Sequence, residues 1–153
     1  MSAPQHLFAY GSLMCGEIMH AVTGVLPEGV PAVLPGHRRR VVAGEKYPGI
    51  VPDAAETVEG ILYLNLPEEA LVRLDAFEGD MYCRKIVICV SGGNEIPAET
   101  YGVRPEFAHR LGPQLWSYTE FQASGKALFE AEYSGFSKLT PAPPRRPPHA
   151  GIE

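Results

Sequence analysis

Apolar and polar positions alternate along this chain in short segments punctuated by glycine and proline, and the spacing inside each segment sets the element expected there. Residues 7–10, Leu-Phe-Ala-Tyr, predict a short apolar strand that stops at Gly11. Ser12 then stands at the start of a turn or helix carrying residues 14–20. Gly24, Pro27, Gly29 and Pro31 punctuate a connection, and residues 32–42 read as extended, interrupted at Pro35-Gly36, where proline points to an edge or a bulge. Residues 46–52 read as a second loop, stiffened by Pro48 and Pro52, in which Tyr47 and Ile50 offer apolar surface to a pocket wall. The clearest strand is 57–66, through Val58, Ile61, Leu62, Tyr63, Leu64 and Leu66, with Gly60 marking a bulge or a close approach.

Pro67 is suited to the first position of a helix, and Glu68 and Glu69 place negative charge in its first turn. Ala70, Leu71, Leu74 and Phe77 form its apolar stripe, and Gly79 ends it. Residues 84–90 predict another strand, turned by Ser91-Gly92-Gly93-Asn94 into an antiparallel partner at 96–103. Residues 105–111 suit one or two helical turns. Ser117 and Glu120 have capping-box spacing and open a longer helix whose inner face includes Phe121, Leu128 and Phe129. Short strands joined by turns, without crossover helices between them, imply a mixed α/β (α+β) fold. The expected form is a small closed or strongly curved barrel of mainly antiparallel strands flanked by helices. One domain is expected over 1–138. In 139–153, Pro141, Pro143, Pro144, Pro147 and Pro148 surround Arg145-Arg146, an expected extended, mobile tail.

Length and composition narrow the function classes. With 153 residues, 45% of them hydrophobic, the chain suits one domain with a genuine core. A formal net charge of −5 argues against nucleic acid or an anionic membrane as partner. The run Arg38-Arg39-Arg40 is expected to be solvated strand, with one arginine paired to a carboxylate. Cys15, Cys83 and Cys89 have neither the number nor the spacing of a disulfide framework or zinc ribbon, which implies a reducing compartment. Cys83 and Cys89 are expected to be half-buried. The first residues lack a basic segment followed by an apolar one, and no apolar run reaches membrane-spanning length, so the expected location is the cytoplasm. His6, His20, His37, His109 and His149 show no metal-ligand spacing.

Two places carry candidate chemistry. A strand that breaks at Gly11-Ser12 exposes backbone N–H groups to an anion, although an ordinary tight turn has the same local sequence. Glu78 ends a helix, against the negative end of its dipole and beside Phe77, and both effects raise a carboxyl pKa toward the range a proton shuttle needs. An exposed glutamate ending a helix is the alternative. Ser12 lacks a Gly-x-Ser-x-Gly elbow, and Cys15 with His20 is a pairing suggested by sequence proximity alone.

Tyr10-Gly11-Ser12-Leu13, Tyr47-Pro48-Gly49-Ile50, Glu59-Gly60-Ile61-Leu62-Tyr63 and Leu74-Asp75-Ala76-Phe77-Glu78-Gly79, followed by Met81-Tyr82-Cys83-Arg84, occur in that order. In this the chain resembles the γ-glutamylcyclotransferase-like family, in particular its γ-glutamylamine cyclotransferase and AIG2-like branch. The resemblance runs from about 7 to 103, with a weaker echo in Trp116 and 121–136. It implies a barrel-based fold, a γ-glutamyl head held at Tyr10, Gly11, Ser12 and Leu13, and Glu78 acting on protons. The implied reaction closes the glutamyl unit to 5-oxoproline and releases an amine or amino acid, with no metal or organic cofactor. Tyr47, Pro48 and Tyr82 are expected to wall the substrate pocket. The expected partner is a small γ-glutamyl substrate, and the expected state is monomer or homodimer. The rival reading is a non-catalytic module that binds a γ-glutamyl-like metabolite.

Overall fold

A computed structural model describes residues 5–133; the tail at 139–153 lies outside the described residues. Strand β1 (Gln5–Ala9) pairs antiparallel with β3 (Pro48–Leu66), and through Leu7 and Glu99 it pairs parallel with β5 (Asn94–Val103). Its residues are buried on both faces. Leu7 and Ala9 pack among helices, while Phe8 points with Tyr10 into the interior of the sheet, which explains an unbroken apolar run where a half-buried strand would alternate. Strand β2 (Gly29–Val41) pairs with β3 and, at Val33–Val90, with β4 (Tyr82–Ser91); β4 pairs with β5. The strongly curved sheet thus closes in the order β1-β3-β2-β4-β5.

The β2–β3 ladder runs longer than the sequence pattern suggests. It starts at Gly29 rather than residue 32, and it absorbs 48–52 as strand, with Pro48 opposite Val41 and Pro52 opposite His37. The expected loop there is therefore corrected. Pro48 opens the strand and Pro52 sits where the register shifts, so the missing N–H groups fall where the ladder ends or breaks. Ile50 between them is fully buried. Gly36, at φ 77°, stands at that shift, where the Pro35-Gly36 interruption was expected.

Helix α1 (Gly16–Thr23) and helix α2 (Glu68–Glu78) pack together outside the sheet, through Ile18, Met19, Val22, Leu71 and Leu74. Pro67 is the cap preceding α2 and not its first helical residue. The C-terminal helix begins as expected, with the Ser117 Oγ accepting from the Glu120 amide at 3.3 Å. It comprises α3 (Tyr118–Glu120), a π-helical turn (Phe121–Gly125) and α4 (Lys126–Glu132). The extra residue of the π turn makes Phe129 follow Phe121 by seven effective positions, so both face inward. Leu128 is rotated out to 41% exposure, against expectation.

The arginine run divides its roles. Arg40 makes a bidentate pair with Glu56, at 3.0 and 2.7 Å, and Arg38 lies 3.6 Å from Asp53. Arg39, expected to be solvated, instead donates to the Tyr10 and Glu59 carbonyls, both at 2.8 Å, and lies over the Trp116 ring. Cys83 is exposed and Cys89 fully buried, where both were expected half-buried. Among the described residues no helix is long and apolar enough to cross a membrane.

Gly60 is the tightest backbone approach in the sheet: a Cβ there would lie 2.3 Å from the Ala9 carbonyl oxygen. Gly60→Ala is expected to cost about 1–3 kcal/mol in urea unfolding. Gly16→Ala, whose Cβ meets only Leu26 at an ordinary 3.5 Å, should change stability by less than about 1 kcal/mol.

Candidate active site

One cavity gathers the residues that the sequence singles out from distant segments. Tyr10, Gly11, Ser12, Leu13, Tyr47, Pro48, Glu78 and Tyr82 all line it. Phe77, Tyr101, Phe129 and Tyr133 add to its wall, with Leu7, Phe8 and Ala9 of β1. Of these, Tyr101 and Tyr133 escape the sequence argument, and Phe129 was expected on an inner helix face but not at this cavity. The four-residue spacing of Phe129 and Tyr133 is a helical-face signal, but nothing local says which pocket that face covers.

The Gly11 side is built from backbone. After Tyr10 the chain enters a single 3₁₀ turn (Ser12–Met14) that no side chain caps, so its first amides have no intrahelical acceptor. Carbonyls around this turn are tied back: Tyr63 donates to Leu13 O at 2.7 Å, and Arg39 to Tyr10 O at 2.8 Å. Gly11 is pressed against the Pro48 ring, which a Cβ would meet at 3.0 Å. The Gly11-Ser12-Leu13 edge therefore leaves backbone N–H groups without an intrahelical acceptor at the cavity wall.

The Glu78 side is built from a helix end. Glu78 is the last residue of α2, and Gly79 turns the chain at φ 83°. The Tyr133 hydroxyl lies 3.0 Å from both the Phe77 and the Glu78 carbonyl and donates there, satisfying carbonyls that the helix leaves open. Phe77 and Phe129 pack around the same end, with Tyr133 stacked on Phe129 at 4.7 Å between centroids. The residue is half-buried, yet its carboxyl lies deep in the protein. Its pKa is raised to about 8, first by burial and second by the nearby Asp75 carboxylate. Among the described residues no group donates to this carboxyl and no cation pairs with it. A carboxyl so placed holds its proton near neutrality.

Most of the surrounding hydroxyls are committed to the scaffold. Tyr10 donates to Tyr101 O at 2.5 Å, Tyr82 to Pro48 O at 2.8 Å, and Tyr101 to Asp75 Oδ1 at 2.6 Å. Burial pushes these phenols upward, so they stay neutral while Glu78 titrates. Tyr47 differs, because among the described residues its hydroxyl has no hydrogen-bond partner and its ring is held edge-on to Tyr133 at 5.0 Å. Cys15 and His20 border a separate surface depression with Tyr118, away from Glu78. No group of three or more His, Cys, Asp or Glu side chains among the described residues is placed to hold a metal ion.

A family model described as gamma-glutamyl cyclotransferase, AIG2-like, matches residues 7–122. AIG2-like protein C of Arabidopsis thaliana is 31% identical over 132 residues, which cover 83% of this chain and 74% of that protein. The solution structure of an Arabidopsis thaliana protein superposes with a TM-score of 0.67 at 25% identity, over 86% of this chain and 82% of the other. The structure of a gamma-glutamyl cyclotransferase superposes with a TM-score of 0.60 over 94% of this chain and 92% of that one; at 16% identity this likeness is one of fold. Motif order, cavity and matched span agree, and the chain belongs to the AIG2-like gamma-glutamyl cyclotransferase family.

Proposed function

We propose that this chain is a γ-glutamyl cyclotransferase, in which the α-amine of a small γ-glutamyl amide attacks its own γ-carbonyl. The carbon–nitrogen bond of the amide breaks, 5-oxoproline forms, and an amine or amino acid leaves. The substrate contains its own nucleophile, so the protein has only to fold it, polarise the carbonyl and move protons. Orientation is worth several kcal/mol in such reactions, about 7 at the low end for well-placed intramolecular attack.

The observation that carries this reading is the Glu78 carboxyl, buried in the cavity with its pKa raised to about 8. A glutamate of ordinary acidity is a weak base toward an ammonium group, and the raised pKa of Glu78 narrows that gap. The attacking nitrogen goes from three protons to one and the leaving nitrogen from one to three, with Glu78 taking protons from the first and handing them to the second. The Gly11-Ser12-Leu13 amides hold the α-carboxylate or the carbonyl oxygen, Tyr10, Pro48 and Tyr82 shape the wall, and the Tyr47 hydroxyl meets the substrate.

Release of 5-oxoproline, followed by mass spectrometry over γ-glutamyl amino acids, γ-glutamyl amines and γ-glutamyl-ε-lysine, tests the assignment. Wild type is expected to turn over at least one member, and Glu78→Gln to lower kcat by about 10²–10⁴-fold. Binding of these compounds by a wild-type protein that releases no 5-oxoproline contradicts the assignment and supports the sensing module.

The same carboxyl has a stability signature. Its folded pKa lies above the ordinary value of 4.5, so between the two the folded state holds more protons than the unfolded state and stability falls as pH rises. Glu78→Gln removes that loss. The variant is expected to gain on wild type from about pH 4.5 to 8, by roughly 1–4 kcal/mol at pH 9, in urea unfolding at several pH values.

A further inference from the structure

Asp75 stands three residues before Glu78 on α2, which puts the two side chains on neighbouring positions of one helix face, about 5–6 Å apart at Cβ. Its carboxylate is fixed by two other strands. The Tyr101 hydroxyl of β5 donates to Oδ1 at 2.6 Å, and Arg84 Nε of β4 lies 3.2 Å from the same oxygen and 3.7 Å from Glu99 Oε1. Asp75, Arg84, Tyr82 and Tyr101 border a groove on the far side of the wall that separates it from the Glu78 cavity, and Tyr82 and Tyr101 belong to both. An anion is thus pinned behind the site, where it faces Glu78 without touching the substrate space.

We propose that Asp75 is a positioning residue of this site: held by Tyr101 and Arg84 one helical turn before Glu78, its negative charge strengthens Glu78 as a base. The proposal rests on the cyclotransferase reading for its purpose, but not for its measurement. The groups facing Glu78 from the other elements are the phenols of Tyr10, Tyr47, Tyr82, Tyr101 and Tyr133, all pushed upward by burial and neutral where Glu78 titrates. Arg39 bears chiefly on Tyr10, and Glu45 on Tyr47 and Tyr133. The charge that raises Glu78 is Asp75. Arg84 tempers it from the other side, so the pair sets the level: loss of the anion must lower the basicity of Glu78, and loss of the cation must raise it.

The test is a ¹³C NMR titration of the Glu78 carboxyl in protein labelled at glutamate, with the signal assigned by its absence from Glu78→Gln. Asp75→Asn keeps an acceptor for the Tyr101 hydroxyl and removes only the charge. It is expected to lower the Glu78 pKa by about 0.5–2, whereas Arg84→Met raises it, with circular dichroism unchanged in both. An unchanged or raised Glu78 pKa in Asp75→Asn, or movement in the same direction in both variants, overturns the proposal. The titration needs no turnover, so it stands or falls separately from the cyclotransferase reading. Where turnover is measured, the acid limb of the kcat profile should move down in Asp75→Asn by the amount seen in the titration.

Discussion

A carboxyl buried without a cation is the constraint around which this structure is arranged. Burying an ionised group unpaired is costly, and proteins usually avoid it by pairing the group or neutralising it. Here Glu78 is neutralised by holding its proton, and the surroundings fit that choice: neutral phenols line the cavity, and the nearby Asp75 carboxylate adds to the effect of burial. The carboxyl costs stability at high pH and is a stronger base than an ordinary glutamate.

Holding that carboxyl in place takes contacts from the whole chain. Gly79 ends the helix, and Tyr133, from the far end of the sequence, ties off its last carbonyls. Tyr10, just after β1, donates to the Tyr101 carbonyl on β5, and the Tyr101 hydroxyl donates to Asp75 on the helix carrying Glu78. These bonds tie the first strand, the last strand and the helix together around the cavity that Gly11 and Glu78 line.

What was legible in the sequence was local. The break at Gly11-Ser12 and the glutamate closing an amphipathic helix are visible because glycine, serine and helix periodicity act within a few residues. The ladder at 48–52 was not legible, because two prolines and a glycine resemble a loop until the partner strand is known. Gly49 is needed there because a Cβ would come 2.3 Å from Val103 Cγ2, a neighbour from another strand. Phe129 was legible as an inward position, but the outward turn of Leu128 depends on one extra residue in a π turn, which no propensity marks. Tyr101 and Tyr133 reach the cavity only through the closed sheet and the packed helix.

A buried glutamate of raised pKa would equally well activate water, so the central claim is best tested by asking whether water enters the product. Turnover of a γ-glutamyl amide in H₂¹⁸O, read by mass spectrometry, should yield 5-oxoproline with no ¹⁸O beyond background, because the attacking atom is the substrate's own nitrogen. Glutamate carrying ¹⁸O in its γ-carboxyl would mean hydrolysis, and would contradict the account.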